Sequence, residues 1–193
     1  MIDYFFPYWG PFLFRSKIDL NQINELNKIC VKKQKQICNT KLAGHIKEEY
    51  DIDCAKYQKI IAPQLQAFQE GYQNFYNRSC GNLKTVGAWV NYMKAGEYNP
   101  PHVHGGCDFS SVIYTQVPEK IKEEMLKYKG TSHGPGTIEF FYGESIKHIN
   151  SWYSHLPEKG DIFIFPSTLR HFVSPFKSKK VIRISIAANF ESV

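Results

Sequence analysis

The feature that most constrains the fold is a series of three apolar segments near the C-terminus. Residues 161–165 follow a Gly-Asp pair, residues 169–176 follow a Pro-Ser turn, and residues 181–190 follow a lysine-rich turn. Short apolar runs divided by turn residues predict three consecutive β-strands. The C-terminal part of the chain is therefore expected to be β-structure with tight connections.

The last of these segments alternates apolar and polar residues. Its apolar positions are Ile182, Ile184, Ile186 and Ala188. Arg183 and Ser185 share the opposite face, because side chains along a strand alternate with a period of two. An arginine in so apolar a strand needs an anionic partner or solvent. His171 lies twelve positions before Arg183 on the neighbouring predicted strand, so a cation and an imidazole are expected close together.

Two more histidines lie upstream, in the segment YMKAGEYNPPHVHGGCD. His102 and His104 are separated by one residue, so on an extended chain both imidazoles leave the same side and can bind one metal ion. The prolines before them hold the chain extended, and the glycines after them permit a sharp exit. The alternative is that both histidines bond only to backbone groups. With His171 they form a candidate metal site, in which Asp108 is the alternative ligand if His104 faces away.

The order of these residues resembles that of 2-oxoglutarate and Fe(II)-dependent oxygenases, and in particular a group from phages and marine bacteria that is related to prolyl hydroxylases. In that order a closely spaced ligand pair precedes a distant histidine and then an arginine. The matching pieces are residues 89–91, 96–104, 110–114, 165–175 and 183–190. One departure concerns the metal site, because most members have Asp or Glu where this chain has His104.

The resemblance implies an iron site made of His102, His104 and His171, with Asp108 as the alternative to His104. These three histidines are the expected catalytic residues. Neutral imidazoles suit Fe(II), and three such ligands leave positions for a chelating keto acid and for O2. The expected cofactors are therefore Fe(II), 2-oxoglutarate as co-substrate, and O2.

The resemblance also assigns residues to 2-oxoglutarate. Arg183 is expected to bind the distal carboxylate through a bidentate pair of hydrogen bonds, and Ser185 adds a hydroxyl donor. The alternative for Arg183 is a structural Asp or Glu partner. Tyr92 and Tyr114 lie on strands that flank the histidine pair, and each is expected either to donate a hydrogen bond to the same co-substrate or to pack in the core.

Helical patterns occupy the N-terminal part of the chain. Asp19, with a glutamine three positions later, is a capping-box signature that predicts a helix start. A second helix is predicted over residues 61–76, where apolar residues recur at steps of three and four, and Pro63 marks its start or a kink. A short helix at residues 119–129 and an opening edge strand within residues 4–17 are also expected.

The predicted strands decide the expected fold class. Those before the C-terminal series are residues 85–93, 109–117 and 137–142. We expect a mainly β protein with flanking helices, and the resemblance implies a double-stranded β-helix, which is a jelly-roll or cupin-like barrel with an N-terminal helical buttress. One domain is expected over residues 1–193, with helical support at about 18–80 and the barrel core at about 84–191.

The function implied by the resemblance is hydroxylation of a protein side chain, prolyl-like, or of a small metabolite, with decarboxylation of 2-oxoglutarate to succinate. Two alternatives stay open. One is a three-histidine dioxygenase of the cupin type that does not use 2-oxoglutarate. This alternative is favoured by His104, which stands where most members have Asp or Glu. The other is a non-enzymatic jelly-roll protein that binds a metal or belongs to a virion. Arg183 and Ser185 argue against the first alternative.

Composition restricts the partners and the compartment. The net charge of +6 comes from scattered lysines without a nucleic-acid motif, so we expect no nucleic-acid partner. No apolar run is long enough for a membrane span, and five cysteines without C-x-x-C spacing suit a reducing compartment. The expected location is the cytoplasm, which is the host cytoplasm if the chain is phage-encoded. The substrate and the oligomeric state, a homodimer included, stay open.

Overall fold

The computed structural model of the protein describes residues 10–30 and 42–193. Ten strands and four helices lie within these residues. In chain order they are β1 (Phe14–Lys17), α1 (Leu20–Ile29), β2 (Glu49–Asp51), α2 (Cys54–Ile60), α3 (Ala62–Tyr76), β3 (Leu83–Met93), β4 (Asn99–His102), β5 (Phe109–Gln116), α4 (Glu119–Lys127), β6 (Ile138–Phe141), β7 (Trp152–His155), β8 (Asp161–Pro166), β9 (Arg170–Val173) and β10 (Arg183–Ser192). The protein is thus mainly β with flanking helices, as the sequence predicts.

The strands form two antiparallel sheets. The larger sheet has six strands in the order β1-β8-β5-β10-β3-β2, and the smaller has four in the order β4-β9-β6-β7. The long strand β10 lies at the centre of the larger sheet, between β5 and β3. Both sheets therefore mix strands that are distant in the sequence, which only non-local pairing can specify.

Each face of the larger sheet packs in a different core. One cluster joins helix residues such as Leu26, Leu65 and Phe68 to strand residues such as Val90 and Ile186, all of them buried. A second cluster joins residues of the larger sheet to residues of the smaller one, namely Met93, Tyr114, Phe163 and Phe165 with Ile138, Phe140 and Val173. Helices α1 to α3 thus buttress the outside of the larger sheet, whereas Ile121 of α4 packs in the second cluster, and the space between the sheets is left for a site. The shared helix and strand core supports our proposal of one domain.

Local signals in the sequence account for two of the helices. Asp19 caps α1 by accepting from the Gln22 backbone N–H, and the Gln22 side chain returns to the Asp19 backbone, so the predicted capping box is confirmed. Pro63 lies in the first turn of α3 and marks its start.

The chain contains no helix, within the described residues, with the length and apolarity that a membrane crossing requires.

The predicted edge strand is confirmed in part, and four elements were not predicted. β1 lies at the edge of the larger sheet, whereas residues 4–9 of the predicted strand lie outside the described residues. The elements missed were β2, α2, β4 and β7. β2, β4 and β7 have only three or four residues each, so their sequences carry too few positions to show a period, and pairing with neighbouring strands decides them.

Candidate functional site

Three histidines meet between the two sheets. His102 at the end of β4 is directly opposite His171 on β9, so strand pairing brings the two rings together. His104 follows in the loop, where its backbone N–H donates to the Ser167 carbonyl at 2.9 Å. One nitrogen from each ring can be chosen so that all three lie within 4.8 Å of one another. Among the residues that the structure describes, this is the one group of three or more metal-ligating side chains so placed.

Backbone carbonyls orient two of these rings. Nδ1 of His102 lies 2.7 Å from the Pro100 carbonyl oxygen, and Nδ1 of His171 lies 2.9 Å from that of Leu169. A carbonyl oxygen can only accept, so each Nδ1 carries the proton and each Nε2 keeps a lone pair for a metal. Nε2 of His104 lies 3.3 Å from Nε2 of His171, close to the roughly 3 Å expected between two imidazole nitrogens on one divalent ion with bonds of about 2.1 Å.

Burial keeps the three imidazoles neutral. Loss of solvent lowers the pKa of His104 to about 4 and that of His171 to about 3, with the neighbouring histidines adding to the effect. Burial likewise lowers the pKa of His102. A histidine must be neutral to ligate a metal. The cluster is therefore ready to bind an ion near pH 7 without losing protons.

Arg183 lies in a cavity that the histidines also line, and it is 2% exposed. Its guanidinium donates to the Gly136 carbonyl at 2.6 Å and lies against the Met93 sulfur, while its Nε has no partner. No carboxylate pairs with it within residues 10–30 and 42–193, and burial lowers its pKa. Because a buried charge without a counter-ion is costly, the arrangement fits an anionic ligand. The predicted alternative, a structural acidic partner, is absent from the described residues.

A row of polar side chains crosses the larger sheet beside Arg183. Tyr114, Ser185, Asn91 and Glu49 occupy paired positions on the adjacent strands β5, β10, β3 and β2. The Tyr114 hydroxyl is buried without a partner, and burial raises the pKa of Tyr114 to about 12, so the phenol stays a donor. The Asn91 side chain donates to the Ser185 hydroxyl at 3.4 Å. Tyr114 and Ser185 can thus donate to the same anion as Arg183.

The fourth member of the row, Glu49, was missed by sequence reasoning. It lies outside every helix and strand that the sequence predicts, and nothing in its local pattern marks it. Glu49 is 1% exposed, and its Oε2 has no hydrogen-bond partner in the described part of the chain. Burial, with a contribution from the nearby Glu97, raises the pKa of Glu49 to about 7.

Two predicted residues do not reach this cavity. Tyr92 lies on the other face of β3, in the core beneath the helices, and its hydroxyl donates to the Cys30 carbonyl at 2.5 Å. Side chains alternate between the two faces along β3. Because Asn91 faces the histidines, the next residue, Tyr92, points to the opposite face. Asp108 is also remote from the metal cluster. Its carboxylate accepts from the Ser192 backbone N–H at 2.8 Å, which leaves His104 as the third member of the group.

Comparison with known families gives one match. The family model described as "Putative 2OG-Fe(II) oxygenase" matches residues 87–189. That range contains the three histidines, Arg183, Tyr114 and Ser185. Comparison with curated protein sequences gives no significant match.

Solved structures share the architecture at low sequence identity. A viral collagen prolyl hydroxylase from Paramecium Bursaria Chlorella virus-1, solved with 2OG, aligns with a TM-score of 0.62 and 14% identity over 95% of this chain and 98% of that one. A Pseudomonas putida prolyl-4-hydroxylase aligns with a TM-score of 0.58 and 13% identity over 94% and 92%. A 2OG-Fe(II) oxygenase family protein from Burkholderia pseudomallei gives 0.59 and 10% over 94% and 85%. These likenesses confirm the expected double-stranded β-helix.

Proposed function

The chain belongs to the 2OG-Fe(II) oxygenase family, whose members use Fe(II), 2-oxoglutarate and O2, and we propose that it hydroxylates an unactivated C–H bond. In this reaction one oxygen atom of O2 enters the substrate as a hydroxyl group. The other enters 2-oxoglutarate, which loses CO2 and becomes succinate. The target is a protein side chain, prolyl-like, or a small metabolite.

The proposed iron ligands are His102, His104 and His171. Their donor set fits a divalent metal, since two rings are held in the required tautomer by backbone carbonyls and all three are neutral. When bound, iron supplies the activation of O2 that no side chain can provide. The chain's own contribution is to hold the ligands in a buried pocket, where the reaction is protected from water.

The proposed 2-oxoglutarate anchor is Arg183. The single observation that carries the function is that Arg183, buried and without a carboxylate partner among the described residues, lines the same cavity as the three histidines. A guanidinium can bind one carboxylate through two parallel hydrogen bonds. The Tyr114 and Ser185 hydroxyl groups are the proposed further donors. 2-Oxoglutarate would then place its keto acid end toward the histidines and its distal carboxylate against Arg183.

The second candidate is a three-histidine dioxygenase that does not use 2-oxoglutarate. The observation that favours it is the third imidazole, because His104 stands where most family members have a carboxylate. The unpartnered guanidinium of Arg183 weighs against it, since a reaction without 2-oxoglutarate leaves that buried cation with no anionic ligand.

The test is anaerobic titration of the Fe(II)-loaded protein with 2-oxoglutarate, followed by the visible charge-transfer band of the keto acid on iron. We expect the band in the wild type and its loss in Arg183→Ala. Arg183→Lys keeps the positive charge but loses the two parallel N–H donors of the guanidinium group. It is expected to weaken 2-oxoglutarate binding by about tenfold or more. Arg170→Ala is the matched control, because Arg170 is exposed and stacks on Phe141.

The outcomes separate the two candidates. A band that depends on Arg183 supports 2-oxoglutarate as co-substrate. Iron binding without any band would overturn that assignment and favour the three-histidine reaction. Because removal of a buried arginine can unfold a protein, circular dichroism and iron content are measured on each variant. If Arg183→Ala does not fold, the conclusion is drawn from Arg183→Lys.

A further inference from the structure

A second cavity adjoins the histidines. It has a volume of about 260 Å³, and residues that line it include Gly44, Glu49, Trp89, Asn99, His102 and His104. His102, His104, Trp89 and Asn99 are shared with the cavity that holds Arg183. Arg183 and Tyr114 line only the first cavity, and Glu49 and Gly44 line only the second. Two of the three proposed metal ligands, His102 and His104, therefore border both spaces, as the site of a co-substrate and a separate substrate requires.

The second cavity offers unsatisfied acceptors. Glu49 Oε2 and Asn99 Oδ1 are both buried without a hydrogen-bond partner in the described chain. No lysine, arginine or histidine from the described ranges forms an ion pair with Glu49, and the nearby charged group that affects its pKa is another carboxylate, Glu97. Buried polar groups are nearly always hydrogen-bonded, and a buried carboxylate is normally paired with a cation. The missing partner is thus a donor that carries positive charge.

The two side chains meet at one wall of the cavity. A methyl group built on Gly44 would lie 2.0 Å from Asn99 Oδ1 and 3.2 Å from Glu49 Oε1, the other oxygen of that carboxylate, so Asn99 and Glu49 are neighbours above the Gly44 backbone. Trp89 supplies an aromatic wall to the same cavity, with its ring centroid 5.9 Å from that of His104. A carboxylate together with an aromatic face is a combination that binds ammonium and guanidinium groups.

We infer that the substrate carries a protonated nitrogen, an ammonium or guanidinium group, which pairs with Glu49 while the C–H bond to be hydroxylated lies beside the histidines. This inference rests on the proposed oxygenase function and names its substrate class. Both a free basic metabolite and a lysine or arginine side chain in a protein present this chemistry. Glu49 acts as a specificity residue and takes no part in the binding of iron or 2-oxoglutarate.

The test uses the full-length protein with Fe(II) and 2-oxoglutarate under anaerobic conditions. The probes are free L-arginine and L-lysine, and short peptides that contain one arginine or one lysine. Citrulline and norleucine, free and in peptides, lack the side-chain charge, and every probe is used with its α-amino group acetylated so that the side chain carries the only positive charge. Binding is read from the change that each probe causes in the charge-transfer band, and by calorimetry. Succinate formation under air is measured separately.

We expect at least one cationic probe to bind and its neutral counterpart to bind at least about tenfold more weakly. Glu49→Gln should abolish this preference and leave the 2-oxoglutarate band unchanged. Gly44→Ala, whose methyl group would displace the Asn99 amide oxygen while the carboxylate is kept, should also weaken the cationic probe. Glu123→Gln is the matched control, because Glu123 is exposed on α4. Response to free amino acids alone indicates a metabolite, and response to peptides alone indicates a protein substrate.

Each contrary result has its own meaning. Equal binding of cationic and neutral probes, no response to any cationic probe, or an unchanged preference in Glu49→Gln would overturn the inference while the band with 2-oxoglutarate still supports the function. Absence of the band in the iron-loaded wild type would instead overturn the proposed function itself.

Discussion

His102 and His171 are directly opposed across the antiparallel pair β4 and β9, and their ring centroids lie 4.3 Å apart. Backbone pairing fixes this approach, so these two rings lie on the rigid part of the site. His104 comes from the loop after β4, and its ring centroid lies 5.1 Å from each of the other two. The proposed third ligand, His104, is therefore held less directly by the sheet, and we expect a different side chain to be accommodated more easily there.

A carboxylate should replace His104 with little loss of metal binding. We expect His104→Asp to keep iron and the 2-oxoglutarate band, because an aspartate oxygen can reach an ion that the loop already borders. His104→Ala should lower iron affinity by about tenfold or more, in line with the loss caused by lesser changes around metal sites. Iron content after anaerobic dialysis measures both. Asp108→Asn is the control and should retain iron. Equal iron loss in the Asp and Ala variants would contradict the replacement by a carboxylate, and full iron retention in His104→Ala would contradict the assignment of His104.

Two tyrosines separated by the sheet should behave differently on loss of their hydroxyl groups. Tyr114→Phe should weaken 2-oxoglutarate binding by about tenfold, the effect of one hydrogen bond to a charged group, with little change in stability since that hydroxyl has no described partner. Tyr92→Phe should lower the free energy of unfolding by about 1 kcal/mol, because it removes the bond to the Cys30 carbonyl. Calorimetric titration and urea unfolding measure the two effects, and a weaker 2-oxoglutarate affinity in Tyr92→Phe would refute this division.

Gly136 supports Arg183 through its backbone. It has φ +73°, and a Cβ there would lie 2.6 Å from the Ile121 side chain, while its carbonyl accepts from Arg183. Gly136→Ala should lower the free energy of unfolding by about 1–3 kcal/mol through backbone strain and crowding, and should weaken 2-oxoglutarate binding as the acceptor of Arg183 shifts. Gly143→Ala is matched, since Gly143 has φ +71° with no atom within 4 Å of the added Cβ. If both variants bind 2-oxoglutarate equally, the carbonyl of Gly136 does not position Arg183.

The ionisation of Glu49 should make stability depend on pH. Burial raises the pKa of Glu49 from 4.5 to about 7, with Glu97 as the further charge that acts on it. The folded protein therefore binds more protons here than the unfolded chain does between these two values, and Glu49 destabilises the fold increasingly as the pH rises through that window. Glu49→Gln removes the penalty. We expect it to stabilise the protein at pH 8 by about 2–3 kcal/mol more than at pH 4.5.

Urea unfolding of the metal-free protein at both pH values checks this effect. Glu123→Gln, with an exposed side chain, should show no such difference. A pH-independent effect of Glu49→Gln would mean that the carboxylate does not ionise within this window. A bound cation should lower the pKa of Glu49, so a cationic ligand is expected to reduce the difference between wild type and variant.

Local patterns predicted the elements that bring most of the site together. The period of two on the last strand placed Arg183 and Ser185 on one face, and the structure has both beside Tyr114. The Asp19 capping box and Pro63 predicted where α1 and α3 begin. These predictions succeed because each rests on residues that are close in the sequence and act through their own backbone.

Tertiary pairing decided what the local pattern left open. The sequence did not tell which face of β3 would meet the histidines, so Tyr92 was grouped with Tyr114, whereas the pairing of Asn91 with Ser185 turns Tyr92 toward the helices. It also left Asp108 open as a ligand and placed Glu49 outside every predicted helix and strand. A one-residue change of register moves a strand's side chains to the other face. The sequence alone thus determined the fold class and the order of the proposed ligand residues, and only the contacts between distant strands decided which of their neighbours face the site.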